Sequence, residues 1–336
     1  MKAYVLRELS GIGSLRLEDW ADLPSPNPTE ALIRVKAVSL NFRDLMTVEG
    51  KYNPNQPLPL VPCSDAVGEI VEIGSEVSRM QVGMRVLPIF CQGWVSGEPT
   101  REKLRSTLGG PLQGSLREFM LIDQQGLVRV PEHLSDTEAA TLPCAAVTAW
   151  NAVMVQGGVS SRDTVLIQGG GGVSLFALQF AKTAGAAVIW ISHSEERLER
   201  LKALGCDQVL LRTPGWGEQV RDLTAGNGVD VVVEVGGGDS INESLRAIGI
   251  GGTLVLIGVA SGGVSRIRLA SILMRHVRLQ GIVVGSRNMF EGMNRRIGQD
   301  LLRPVIDRVF DFAGAVDAFR YFAEATHFGK VCIRCG

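Results

Sequence analysis

The 336-residue chain has almost no excess charge of either sign: 34 lysines and arginines face 35 aspartates and glutamates, for a net charge of −1. No basic block stands out, which argues against a nucleic-acid partner. Cysteine is sparse and scattered, at positions 63, 91, 144, 206, 332 and 335. Only Cys332-Ile333-Arg334-Cys335 has C-x-x-C spacing. It lies on a strand-like terminal run with no second pair or histidine nearby, so it reads as coincidence. With no disulfide framework, a reducing cytoplasmic setting is the expectation. The start, Met1 to Glu8, lacks the apolar run of a signal peptide. Residues 139–161, 164–181 and 247–265 carry no charge, but Pro143 and Asn151 interrupt the first. Four consecutive glycines interrupt the second and six scattered glycines the third. Each reads as buried strand, turn and helix, and no membrane span is expected.

What is present is globular. Hydrophobic residues make up 45% and charged residues 21%, enough for a large core without staples. The 40 glycines, about 12% against a usual ~7%, point to many tight turns. At roughly 150 residues per domain, the length suggests two domains.

Two regimes follow one another. Up to about residue 126, short alternating apolar runs (31–38, 66–74, 84–89) are separated by Pro and Gly clusters, the pattern of a β-rich domain. Beyond 127 the pattern becomes strand 164–168, helix 173–185, strand 187–191, helix 195–205, strand 208–211, helix 217–224, strand 229–235, helix 240–248 and strand 253–258. Such alternation predicts a doubly wound parallel sheet covered on both faces. A last apolar strand, opening at Leu279 and closing at Val284, precedes a helix over 289–302. The tail after Arg303 resumes β character. The expected domains are therefore 1–126 with 285–336, discontinuous and β-rich, and 127–284, α/β, with a cleft between them as the ligand location.

Strand 164–168 runs into Gly169-Gly170-Gly171-Gly172-Val173-Ser174, which opens a helix. Glycines let backbone approach a pyrophosphate, and the helix N-terminus offers free N–H groups and partial positive charge. Strand before, helix after and βαβ continuation together read as a Rossmann-type dinucleotide site. About 20 residues on, an acid would bind the ribose 2′-hydroxyl of NAD. Ser192-His193-Ser194 stands there instead, followed by Glu195, Glu196 and Arg197. Two hydroxyls and an arginine suit a 2′-phosphate, so NADPH is expected over NADH. Ser194 also reads as the N-cap of the next helix.

Asn41-Phe42-Arg43-Asp44, residues 62–74 (PCSDAVGEIVEIG), residues 142–149 (LPCAAVTA), the glycine turn and Phe328-Gly329-Lys330-Val331 carry a resemblance over nearly the full length. The chain resembles the medium-chain dehydrogenase/reductase superfamily, in its zinc-independent, quinone-oxidoreductase-like branch. The resemblance implies a Rossmann domain joined to a discontinuous GroES-like catalytic domain. In zinc-dependent relatives a cysteine, a histidine and a further cysteine hold the metal, with an acid nearby. The matching positions here are Asn41, Ser64, Cys144 and Asp65, a poor donor set. The lobe that carries a structural zinc in those relatives matches residues 91–117, which contain one cysteine. No zinc is expected.

Without a Lewis acid, simple ketones and alcohols are poorly activated. Quinones and carbonyls conjugated to a double bond become the expected substrates, with hydrogen bonds for the developing oxyanion. The resemblance places Asn41 beside the nicotinamide ribose, Thr148 near the nicotinamide and Lys330 on the cofactor; read by itself, Lys330 is equally a solvated strand end. It makes Tyr52 a proton donor or a stacking surface for a flat substrate. Asp44 reads as structural, capping the helix that starts there. Gly236, Ile257, Gly258, Val283, Val284 and Gly285 fall at strand ends on the edge where parallel sheets bind ligands. The resemblance also implies a homodimer pairing through the 279–284 edge strand. The expected activity is NADPH-dependent hydride transfer to a quinone or enal. An alcohol or aldehyde oxidoreductase and a catalytically weak NADPH-binding sensor are the alternatives.

Overall fold

Alternating burial marks the longest strand of the first sheet. In the computed structural model, which describes Met1–Gly336, β1 (Lys2–Leu6) pairs antiparallel with β2 (Leu15–Asp19). β3 (Glu30–Ser39) buries Ala31, Ile33, Val35 and Ala37. It leads into α1 (Phe42–Val48), followed by β4 (Asp65–Ile73), β5 (Arg85–Pro88), α2 (Arg101–Leu104), β6 (Phe119–Asp123), β7 (Leu127–Arg129) and α3 (Asp136–Ala139). β3 is the hub of this sheet: β4 and β6 both pair with it antiparallel. Residues 142–156 are helical throughout, with wide π-type turns flanking α4 (Val147–Trp150).

In the second sheet the inner strands are mostly apolar and buried, as strands covered on both faces must be, while the two outer strands are more exposed. In chain order the six are β8 (Thr164–Gln168), β9 (Ala187–Ser192), β10 (Gln208–Leu211), β11 (Val229–Glu234), β12 (Ile248–Leu256) and β13 (Arg278–Gly281). Between them run α5 (Gly172–Thr183), α6 (Glu196–Ala203), α7 (Trp216–Leu223), α8 (Ser240–Ala247) and α9 (Leu269–Leu273). All pairings are parallel and the order is β10-β9-β8-β11-β12-β13. The strand order reverses beside β8, and ligands bind such sheets at the carboxyl ends of strands flanking that reversal. Leu166, Ile189, Val232 and Leu254 lie in one core cluster of this unit.

The tail forms α10 (Arg287–Asp300), β14 (Ile306–Asp311), α11 (Ala315–Ala323) and β15 (Lys330–Arg334). β15 pairs antiparallel with β3 and parallel with β14, extending the first sheet to seven strands. The chain thus divides into Met1–Val147 with Gly285–Gly336, and Thr148–Val284.

Three expectations need correction. Residues 127–147 belong to the first unit, because β7 pairs with β5 and the Arg85 guanidinium binds Asp136 at 2.9 Å and the Leu134 carbonyl at 2.8 Å. The last parallel strand ends at Gly281 rather than 284; Val284 adopts a left-handed φ of 47° that no strand accommodates. The tail is not β throughout, since α11 inserts Phe319 and Phe322 into the first core. Cys332 and Cys335 are both buried, no disulfide joins any cysteine, and their thiols face different carbonyls, those of Thr137 and Ile333. No helix is long and apolar enough to cross a membrane.

Phe319 is fully buried, so Phe319→Ala is expected to cost about 3–5 kcal/mol. Urea unfolding followed by circular dichroism checks this; an unchanged midpoint would contradict the packing described.

Candidate active site

In the α/β unit, the expected glycine turn sits at the carboxyl end of β8. Gly169 has φ +87°, a left-handed conformation that a side chain would strain. Its carbonyl accepts from Trp190 Nε1 at 2.8 Å, and Ser174 Oγ donates to the Gln168 carbonyl at 2.5 Å. Ser174 therefore ties the start of α5 back to the strand. The N-cap position, Gly171, has no side chain to cap the helix. The first N–H groups of α5, those of Gly172, Val173 and Ser174, thus remain uncapped by a side chain, as a pyrophosphate cradle requires.

At the end of β9, the buried Ser192 hydroxyl donates to the Ser194 carbonyl at 2.8 Å and accepts from the Ser194 N–H at 3.2 Å. Ser192 thus shapes the turn. Ser194 is not the N-cap: α6 starts one residue later, behind Glu195. The Arg197 guanidinium reaches back over the glycine turn, where a side chain on Gly170 would collide with it. Arg212, just past β10, lies 3.1 Å from His193 Nε2, and its N–H donates to the Ser192 carbonyl at 2.8 Å. Burial, with help from Arg212 and Arg197, holds the His193 imidazole below its usual pKa. Two guanidiniums therefore attend this turn. Only Arg197 was legible in the sequence; Arg212 enters through strand pairing.

The end of β11 holds a residue that sequence reasoning missed. Glu234 is fully buried. Its carboxylate accepts from the N–H groups of Gly236 (2.8 Å) and Gly237 (3.0 Å), from Ser240 Oγ (2.7 Å), from Gln168 Nε2 (2.8 Å) and from Ser244 Oγ. It fixes the Gly236 turn and joins it to the end of β8. The signal was an apolar strand closing on a carboxylate before three glycines. Ile257 and Gly258 lie past β12, both N–H groups donating to the Glu234 carbonyl at 2.9 and 3.3 Å. A Cβ on Gly258 would stand 2.6 Å from the Val235 carbonyl oxygen, so only glycine fits. Val283 is exposed, and the Val284 carbonyl accepts from Asn151 Nδ2 at 2.7 Å. Thr148 is buried at the start of this unit. The predicted residues at the ends of β8, β9, β11 and β12 thus meet on one sheet edge. Gly285 falls in the other unit, against Val147 and Met289.

In the β-rich unit a second cluster forms where α1 leaves β3. Asn41 precedes α1, and its N–H donates to Asp44 Oδ2 at 2.9 Å, so Asp44 caps the helix as expected. Lys330 is not a solvated strand end. It is 3% exposed, and its Nζ donates to the Leu40 carbonyl at 2.7 Å and to Asn41 Oδ1 at 2.6 Å. It stands 4.0 Å from Asp65 Oδ2. With Oδ1 taken by Lys330, Asn41 has only Nδ2–H to offer; that group lies 3.5 Å from the Ser39 carbonyl and also hydrogen-bonds toward the Asp65 carboxyl. Asp65 Oδ1 accepts from Ser64 Oγ at 2.9 Å. Arg43, also buried, lies 3.2 Å from Asp44 Oδ1. Two cations and two carboxylates thus share one buried neighbourhood. Burial pushes Asp65 up to about 6 against the pull of Lys330, and raises Asp44 against Arg43. The Cys144 thiol is held well above its usual value, by burial and then by Asp65. Tyr52 is half-exposed, its ring stacked over Arg43.

The four positions that match a zinc site do not form one. The Asn41 oxygen is committed to an ammonium and the Ser64 hydroxyl to Asp65. Cys144 is the one soft donor, and no group of three His, Cys, Asp or Glu side chains could hold a metal ion.

Residues 27–132 match the alcohol dehydrogenase GroES-like domain and residues 172–299 the zinc-binding dehydrogenase domain. A zinc-type alcohol dehydrogenase-like protein of Schizosaccharomyces pombe is 38% identical over 340 residues, covering 98% of each chain. An NADPH-dependent alkenal/one oxidoreductase of Arabidopsis thaliana is 28% identical over 99% of this chain and 79% of its own. Among solved structures, an NAD-dependent alcohol dehydrogenase superposes with a TM-score of 0.91 at 32% identity, covering 100% of both chains.

Two outcomes follow. Lys330→Met leaves Asp65 and Asn41 Oδ1 buried without their cation, and is expected to cost about 3–5 kcal/mol in chemical unfolding; a neutral effect would contradict the cluster. Asp65 binds its proton more tightly folded than unfolded. Its contribution to stability is therefore full below its ordinary value near 3.8 and is lost as pH rises through about 6. The stability of the native chain relative to Asp65→Asn should accordingly fall between about pH 4 and about pH 7. A difference that rises with pH would refute the assignment.

Proposed function

This chain belongs to the medium-chain dehydrogenase/reductase superfamily, and from that premise we propose an NADPH-dependent oxidoreductase that works without zinc and delivers hydride to a quinone or an α,β-unsaturated carbonyl. The observation that carries this reading is the Asn41–Lys330–Asp65 arrangement: side chains fill the places of metal ligands and are bonded to one another. A site built this way favours acceptors that are electron-poor on their own. The alkenal/one oxidoreductase of Arabidopsis thaliana lends the same support from its name.

The α/β unit fits the reductant. The uncapped start of α5 suits the pyrophosphate, the Glu234-anchored turn suits close backbone approach, and Arg197 with Arg212 suits a 2′-phosphate. When bound, NADPH supplies the hydride. The β-rich unit supplies groups for the acceptor. As the substrate oxygen gains charge, the Asn41 Nδ2–H and the Tyr52 phenol are the available donors. Asn41 cannot turn its amide over, because Lys330 holds the oxygen. Tyr52, half-exposed, can also deliver the proton that completes reduction at the α-carbon or the oxygen. The high pKa of Cys144 keeps that thiol protonated, and so a poor nucleophile toward an enal.

The partner we propose is a second copy. β13 is the outer strand of its sheet, with Leu279 and Val283 half-exposed beside it, and Leu269, Leu273 and Met274 about three-quarters exposed near α9. An uncovered edge of this kind calls for a partner strand. Six cysteines without a disulfide fit a cytoplasmic setting.

Fluorescence titration should give NADPH about tenfold or more tighter than NADH, with Arg212→Ala and Arg197→Ala each narrowing the gap; tighter NADH would refute the cofactor assignment. For the acceptor side, Tyr52→Phe is expected to lower kcat about a hundredfold with an enal. Unchanged kcat would remove the proton-donor role.

A further inference from the structure

Arg43 is absorbed by nothing above. It follows Asn41 at the start of α1, is nine-tenths buried, and lies between two rings: its guanidinium carbon is 4.8 Å from the Tyr52 ring centre and 5.5 Å from that of Phe90. Its nitrogens donate to three consecutive carbonyls, those of Leu108 (3.0 Å), Gly109 (3.1 Å) and Gly110 (3.2 Å). These belong to the lobe of residues 91–117. The lobe closes at its neck through Gln92 N–H to the Ser106 carbonyl (2.9 Å) and Leu108 N–H to the Phe90 carbonyl (3.2 Å). On its way out the lobe bonds the second cluster: Ser115 N–H donates to the Cys63 carbonyl and Ser115 Oγ to the Asp65 carbonyl, both at 3.0 Å.

A planar guanidinium can do this where an ammonium cannot, because it stacks on aromatic faces while its edge donates in fixed directions. Arg43 thus ties three separate segments to one point: α1, the loop bearing Tyr52, and the lobe. Asp44 balances its charge. Burying a guanidinium is costly for stability alone, and this one is placed where the Tyr52 loop and the lobe meet.

We propose that Arg43 is a positioning residue for the acceptor site: it holds the Tyr52 ring in place and docks the 108–110 backbone as the adjoining wall, so the lobe serves substrate selection rather than metal binding. The proposal rests on the reading that Tyr52 faces the acceptor. A cation stacked on a desolvated ring is a geometric clamp, so its loss should appear in acceptor kinetics and leave the cofactor untouched.

The test is a double-mutant cycle with an enal and NADPH, using Arg43→Met and Arg43→Lys, each in the native chain and with Tyr52→Ala. Arg43→Met should lower kcat/KM about tenfold in the native chain and less than about twofold with Tyr52→Ala, with Arg43→Lys recovering part of the loss. The Kd for NADPH should change less than about twofold, and trypsin should cut faster at Arg105 of the loosened lobe in Arg43→Met. Equal losses in both backgrounds, or an Arg43→Met variant with native kinetics and native cutting, overturn the proposal. A native chain that turns over no enal or quinone overturns the reaction reading instead. The cutting rate at Arg105 then still decides whether Arg43 docks the lobe.

Discussion

A buried ammonium organises the β-rich unit. Lys330 arrives on the last strand, β15, 290 residues after the Leu40 carbonyl it binds. Such a charge is tolerated only with partners of opposite sign and satisfied hydrogen bonds. Leu40, Asn41 and Asp65 provide them, and in doing so their own freedom is lost. The Asn41 amide can point only one way, Asp65 is held beside a cation, and the start of α1 is fixed against β15. The pairing of β15 with β3 brings these groups together, so the sheet and the cluster each require the other.

The two units divide the chemistry. The α/β unit offers backbone N–H groups, one buried carboxylate that shapes a turn, and two guanidiniums. The N–H groups and guanidiniums suit an anionic ligand, and the unit presents no group there suited to proton transfer. The β-rich unit offers titratable and hydrogen-bonding groups: Tyr52, Asn41, Asp65 and a protonated Cys144. If the site works through hydrogen bonds, as proposed, geometry must be set in advance, because a loosely held donor contributes little to a developing charge. The density of buried partners around Asn41 and Arg43 meets that requirement.

Much of this was legible in the sequence where the signal was local. Strand 164–168, the glycine turn and the helix after it lie within some twenty residues, and each follows from its own periodicity. Asp44 as a cap needed only three residues of spacing. What escaped was non-local. Glu234 read as the end of an apolar strand; its role depends on Gln168, 66 positions earlier. Arg212 depends on β10 lying beside β9. Arg43 looked like one letter in a motif until its carbonyl partners, 65 to 67 residues on, were in place. Lys330 read as a cofactor contact or a solvated strand end, and burial makes the second untenable. The boundary near 126 erred because change of pattern and change of unit differ: β7 is short, but it pairs with β5.

We propose that side chains, not a metal, organise the acceptor site. The most direct measurement is NADPH-dependent reduction of an α,β-unsaturated carbonyl by protein dialysed against a strong chelator, before and after zinc is restored. Turnover should survive chelation, and added zinc should bring no gain. Activity that vanishes on chelation and returns with one zinc per chain would contradict the account.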